Sequence, residues 1–107
     1  MSIKIFGHPR CPDCVSLRAS IMANEGQISF EGHDISQLED LHAFMALRDA
    51  SPAFDRSRKI GDIGIPCIVT ESGAVRLDWE EYFREQGFKV VHADADGPSC
   101  SIDGSGC

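Results

Sequence analysis

The chain opens on an alternation: Ile3, Lys4 and Ile5 run apolar, polar, apolar before Phe6-Gly7, which predicts a short strand over residues 3–7. His8-Pro9-Arg10 is a turn, and Pro12 suits the first position of a helix, where a missing N–H costs nothing. Val15, Ala19 and Met22 share one face of that helix, with Leu17 and Ile21 beside it. Asn24-Glu25-Gly26 ends it, Gly26 serving as a left-handed cap. A second strand begins at Ile28 and runs to about Ile35. Ser36 and Glu39 have capping-box spacing, and Leu38, Leu41 and Met45, with Phe44 adjoining, then predict a helix broken by Ser51-Pro52. Residues 53–59 add one further helical turn. The β-rich run 65–70 predicts a strand that Pro66 can only open, since proline donates no ladder hydrogen bond. Residues 71–73 form a hairpin turn and 74–77 the returning strand. Asp78, three residues before Glu81, reads as the N-cap of a last helix with Trp79, Tyr82, Phe83 and Gln86 on one stripe, ended by Gly87.

The order is β-α-β-α-β-β-α. The first half implies a right-handed parallel crossover and the later hairpin adds antiparallel strands. The expectation is an α/β domain with a four-stranded mixed sheet flanked by three helices, over residues 1–88. Residues 89–107 lose the pattern, hold many Gly, Ser and Asp, and read as a flexible C-terminal tail. There are no repeats and no second domain.

Composition narrows the partners. The 107 residues carry 10 Lys and Arg against 17 Asp and Glu, a net charge of −7. That balance argues against nucleic acid, whose binding rests on neutralising phosphates. No apolar run approaches the length of a membrane span, and the N-terminus lacks a secretory layout, so a cytoplasmic monomer is expected. The five cysteines, 11, 14, 67, 100 and 107, are an odd number and do not form a disulfide scaffold in a reducing compartment.

Cys11-Pro12-Asp13-Cys14 sits where a strand passes into a helix. The thiolate is the nucleophile, and a helix N-terminus carries partial positive charge that eases loss of the thiol proton. Cys11 at the helix mouth is expected to face solvent and to attack a disulfide. Cys14, one turn in and more shielded, then resolves the mixed disulfide. Arg10 adds a positive neighbour to Cys11 and Asp13 a negative one. A zinc knuckle also begins with this spacing but needs a second cysteine pair, which the chain lacks.

Together, the Cys11–Cys14 motif after the first strand and Ile65-Pro66 opening a later one resemble the glutaredoxin branch of the thioredoxin-fold superfamily. The resemblance covers about residues 3–87. It implies a thioredoxin-like fold, a cis Pro66 lying against the cysteine pair, and pairing of the Ile65 backbone with a bound thiol peptide in the manner of an added strand. It further implies glutathione as co-substrate with no bound cofactor, held by Arg10, Ile65, Pro66 and Asp78. The implied activity is reduction of protein disulfides or glutathione mixed disulfides. Two departures stand out: Asp13 occupies a position where the family has Tyr or Phe, and Arg76-Leu77-Asp78-Trp79-Glu80 lacks the family's glycine pair before the last helix. Added acids work against an anionic tripeptide, which leaves thioredoxin reductase or another thiol system as the reductant.

Cys67 beside Pro66 reads either as a third redox thiol or as a small buried hydrophobe. Cys100 and Cys107 could pair with each other, shuttle electrons to the first pair, bind metal, or be incidental. His8 could tune Cys11 or merely occupy an exposed turn. Arg48, Arg56, Arg58 and Lys59 form a basic group before the proline strand that could receive a carboxylate. The competing class is a binding module of the same fold that holds an iron–sulfur cluster or another metal, against which Pro12 counts.

Overall fold

The computed structural model describes residues 2–92. Its elements are β1 (Ser2–Gly7), α1 (Pro12–Ala23), β2 (Ser29–Asp34), α2 (Leu38–Ala50), a 3-10 turn (Pro52–Phe54), α3 (Asp55–Ile60), β3 (Cys67–Val69), β4 (Val75–Arg76) and α4 (Trp79–Glu85). The strands form one mixed sheet in the order β2-β1-β3-β4. β1 pairs in parallel with β2, from Ser2 opposite Ser29 to Gly7 opposite Asp34. It pairs antiparallel with β3, Phe6 opposite Cys67, and β3 closes antiparallel on β4. The protein is thus a small α/β domain with a four-stranded mixed sheet. It has four helices where the sequence suggested three, because the segment after Ser51 forms a 3-10 turn and then a separate α3.

Strand alternation sorts the core into two layers. Ile3, Ile5 and Ile68 project to the face covered by Leu17 and Ile21 of α1 and Trp79, Tyr82 and Phe83 of α4. Phe6 and Cys67 project to the other, where Phe44 of α2 and Phe54 complete the cluster. Each fully buried phenylalanine contributes about 1.5–3 kcal/mol through removal of apolar surface from water. Gly64 lets the loop before β3 approach Phe54: it has φ +94°, and a Cβ there would lie 2.8 Å from the ring.

The expected helix faces need correction. Met22 is 72% exposed and Leu38 80% exposed. The inward face of α1 is Ser16, Leu17, Ser20 and Ile21, and that of α2 centres on Phe44. Polar residues occupy the buried side of α1 because they bind chain that follows α4. Ser20 Oγ accepts from Val91 N (2.8 Å) and donates to Val91 O (3.0 Å). Asn24 Oδ1 accepts from Lys89 N (2.9 Å), and its Nδ2 donates to Lys89 O (2.9 Å) and Ser20 O (2.8 Å). Residues 89–91, assigned to the tail from sequence, are therefore fastened to α1, and Phe88 and Val90 pack on the core. Residues 93–107 of the expected tail, with Cys100 and Cys107, lie outside the described residues.

The capping box at Ser36 does not form. Gln37 is the N-cap of α2, and Asp34 Oδ1 accepts from Ser36 N at 2.8 Å instead, closing a local turn. Two residues of the basic group, Arg48 and Arg58, bind within the chain. Arg48 donates to the carbonyls of Asp62 and Ile63, and Arg58 engages Asp55 and the carbonyls of Arg48 and Ser51. These two guanidiniums hold the 61–63 loop and the end of α2.

Candidate functional site

β1 ends at Gly7, and the chain turns through residues 8–10 to start α1. Arg10 N donates to His8 Nδ1 and Cys11 N to His8 O, both at 3.1 Å, so His8 shapes the turn from its backbone and its ring. Cys11 is the N-cap of α1 in an extended conformation, with Pro12 at the first helical position. Val15 N donates to Cys11 O at 3.0 Å, the first helical bond.

The two sulfurs are electrostatically unlike. The described cysteines, 11, 14 and 67, are all free thiols. The Cys14 S–H donates to the Cys11 sulfur, and this is the largest cause lowering the Cys11 pKa from an ordinary 9.0 to about 6. The N–H groups of Cys14 and Asp13 at the helix start act in the same direction without closing a full capping bond, whereas burial and the Asp13 charge oppose it. Cys14 is the mirror case. Its proton is committed to Cys11 and burial disfavours its charge, so its pKa is raised above the ordinary thiol value. At neutral pH the pair holds one thiolate and one thiol, shared across a single S–H···S contact.

Exposure runs opposite to expectation. Cys11 retains 5% of its surface, whereas Cys14 is only half-buried. Cys14 lines a cleft of about 460 Å³ between α1 and the β1–β2 edge, together with His8, Val15, Arg18, Phe30, His33 and Asp34. Gly7 makes room for it, since a Cβ there would lie 2.9 Å from the Cys14 sulfur. Neither the cleft nor Gly7 was identified from sequence. The only signal was a glycine ending a strand immediately before the motif.

The β1–β3 register brings the proline segment to the same end of the sheet. Phe6 faces Cys67 at the end of the ladder, and Gly7 and Pro66 are the next residues along the two chains. The Ile65–Pro66 peptide is cis. Pro66 is buried and Ile65 half-buried against the Phe6 and Phe44 cluster. Cys67 is 0% exposed within that cluster, and burial alone pushes its pKa up to about 12. It is a core side chain, the second of the two readings that the sequence left open for it. Arg10 is exposed on the turn beside Cys11. Asp78 is the N-cap of α4, but both its oxygens are engaged by Arg76, Nε to Oδ1 and Nη2 to Oδ2 at 2.9 Å each. Arg76 also binds Glu85 and lies 5.4 Å from the Tyr82 ring centre. Asp78 thus joins β4 to α4 through Arg76, and its carboxylate stays 55% exposed.

His33, at the inner end of β2, was unassigned from sequence. It stacks on Phe6 with ring centres 4.7 Å apart, and its Nδ1 and Nε2 meet Asp40 (2.8 Å) and Glu31 (2.6 Å). The Asp40 hydrogen bond is the main cause raising its pKa above 6.5. Among the described residues no three His, Cys, Asp or Glu side chains converge as metal ligands, and no helix is long and apolar enough to cross a membrane.

A protein of Haemophilus influenzae that carries the description "Uncharacterized protein" is 32% identical over 75 residues, covering 69% of this chain and 85% of that protein. The chain belongs to that protein's family. No family model and no solved structure matches it.

Proposed function

We propose that the protein is a thiol–disulfide oxidoreductase, a thioredoxin-like fold of the glutaredoxin kind, acting through Cys11 and Cys14. The observation that carries this reading is the asymmetric pair: a Cys11 thiolate held at the start of α1 by the Cys14 S–H and the helix N–H groups. A thiolate with pKa about 6 is ionised at neutral pH and is also a good leaving group, the two properties that disulfide exchange needs. The element order, the mixed sheet and the proline opening β3 beside the cysteine end support the same fold.

Cys11 keeps 5% of its surface, so its attack requires local opening of the turn at residues 8–10; it then attacks one sulfur of a substrate disulfide, forming a mixed disulfide and expelling a substrate thiolate. The Cys14 thiol, no longer donating to a thiolate, gives up its proton and attacks Cys11. This releases the second substrate thiolate and leaves a Cys11–Cys14 disulfide; two electrons have passed to the substrate. Substrates are disulfide-bearing proteins or glutathione mixed disulfides in a reducing compartment.

The test is reduction of a protein disulfide and of a glutathione mixed disulfide, driven in parallel by glutathione with its reductase and by thioredoxin reductase. Turnover is expected for the native chain and absent for Cys11→Ser, while Cys14→Ser accumulates mixed disulfides. Full turnover by Cys11→Ser refutes the assignment.

A further inference from the structure

Of the two sulfurs, Cys14 lines the cleft between α1 and β2, whereas Cys11 does not border it and keeps 5% of its surface. We propose that this cleft admits a low-molecular-weight thiol, which reduces the Cys11–Cys14 disulfide by attacking the Cys14 sulfur. The inference rests on the dithiol reading above and gives it an electron donor and a point of entry.

The cleft exists because residue 32 has no side chain. The β1–β2 register sets Gly32 beside Ile5 and Asp34 beside Gly7. Alternation then turns Phe30, Gly32 and Asp34 towards α1, where all three line the cleft. A side chain at residue 32 would stand in the gap between Phe30 and α1. Nothing in the backbone requires glycine there. Its φ is not positive, and the ladder runs without a bulge from Ser2 opposite Ser29 to Gly7 opposite Asp34. A Cβ on Gly32 would meet only the Phe30 ring, at 3.5 Å, an ordinary contact. Glycine weakens a strand interior, and its uses there are a bulge, a tight bend or the close approach of another group. With the ladder regular, the close approach of a ligand is the use that fits. Gly7 differs, because it makes room for the Cys14 sulfur itself.

The shape selects a small donor. The cleft holds about 460 Å³, within the range of about 300–1,000 Å³ typical of small-molecule sites. Its lining includes Ile5, Leu17 and Ile21, all buried, so its inner side is closed by core. A cysteine within a protein brings backbone on both sides of its sulfur and needs a groove that runs through. A small thiol presents its sulfur at a free end and suits a recess closed on one side.

The exchange balances. With the pair oxidised, the donor thiolate attacks Cys14 Sγ, a bond forms between Cys14 and the donor sulfur, and Cys11 leaves as a thiolate at the helix start. A second donor thiolate attacks the first donor sulfur and forms the donor disulfide. Cys14 leaves and takes a proton from solvent, which restores the S–H that it donates to Cys11. Two electrons pass from two donor thiols to the pair. Attack at Cys14 rather than Cys11 also expels the sulfur of lower pKa, the better leaving group.

The test uses the full chain, oxidised and shown by mass spectrometry of non-reduced peptides to hold the Cys11–Cys14 disulfide. It is mixed with glutathione or with cysteamine, quenched with N-ethylmaleimide, and mapped by fragment-ion mass spectrometry. The expected adduct carries the donor on Cys14 and maleimide on Cys11. Gly32→Val, shown folded by circular dichroism, should slow reduction by both small thiols about tenfold, since a donor held off its attack geometry loses at least that much. Ser29→Val, the same change on the opposite face of β2, should not slow it. The position of the adduct decides the question even where Gly32→Val does not fold. A donor found on Cys11, or a folded Gly32→Val reduced at the native rate, overturns entry through the cleft. Equal slowing of reduction by reduced thioredoxin in Gly32→Val means that a protein chain uses the cleft, and overturns the small donor. Failure of the oxidised chain to form Cys11–Cys14 at all overturns the dithiol reading and this inference with it.

Discussion

Replacing Cys14 by alanine removes the S–H that does most to hold Cys11 ionised, and the size of the effect follows from the site. A hydrogen bond to a charged group is worth about 1.5–3 kcal/mol. At about 1.4 kcal/mol per pKa unit, that loss raises the Cys11 pKa by about 1–2 units, from about 6 to between about 7 and 8. The N–H groups of Asp13 and Cys14 remain, so the value stays below the ordinary 9.0. The ionised fraction at pH 7 then falls from about nine-tenths to between about half and a tenth. Thiolate absorbance in the ultraviolet, followed against pH with the alkylation rate of Cys11 by iodoacetamide, reads this directly. Cys14→Ser is the internal control, because its hydroxyl can still donate and should keep the value near that of the native protein. Stability gives a second readout. A lowered acid pKa contributes stability that is present above the unfolded value near 9 and is lost as pH falls through about 6. Urea unfolding of the reduced protein should therefore strengthen with pH between about 6 and 8.5, by up to about 1.4 kcal/mol per unit, and Cys14→Ala should narrow that window. Cys14 and Cys67, with raised values, oppose this only at higher pH. A Cys11 that titrates unchanged near 6 in Cys14→Ala refutes the shared-proton account and leaves the helix start as sole cause.

Gly64→Ala combines φ +94° with a Cβ 2.8 Å from the buried Phe54 ring and should destabilise by about 2–4 kcal/mol in urea, provided both strain and overpacking act. Asn24→Ala removes three hydrogen bonds that hold Lys89 and Ser20, and should lower stability by about 2–3 kcal/mol and speed amide exchange at residues 89–91. The raised pKa of His33 contributes stability that is present below about 6.5 and lost as pH rises through the folded value. His33→Gln, compared in a Cys11→Ser background to remove the opposing thiolate effect, should flatten that dependence; an unchanged pH profile would show that Asp40 and Glu31 do not hold the charged ring.

The elements that were legible in the sequence are those where period and punctuation agree. Ile3, Ile5 and Phe6 alternate as a central strand must, Pro12 begins α1, Ser51-Pro52 ends α2, and Pro66 precedes β3. The helix faces were misjudged where apolar residues were taken to mark the buried side. Met22 and Leu38 point outward, whereas Ser20 and Asn24 point in because backbone 71 and 65 residues away supplies their partners. No local pattern carries such a pairing. The same holds at the site. Cys11 and Cys14 were legible from spacing, but which sulfur faces the cleft depends on Gly7, Phe30 and the set of α1 against β2. The ion pair of Asp78 was not legible, because Arg76, two residues before it, gives no sign in sequence that its guanidinium folds back onto it.

The pairing of Ser20 and Asn24 with residues 89–91 also marks where this fold can be cut. Trimming back to Val91 leaves those two side chains satisfied, whereas trimming to Gly87 removes their backbone partners and the Phe88 and Val90 packing, leaving two polar groups beside an uncovered apolar layer. Relatives that stop at the end of the last helix should therefore carry alanine or a larger apolar group at these two positions, so that the pair works as a ruler for chain length read from the first helix alone.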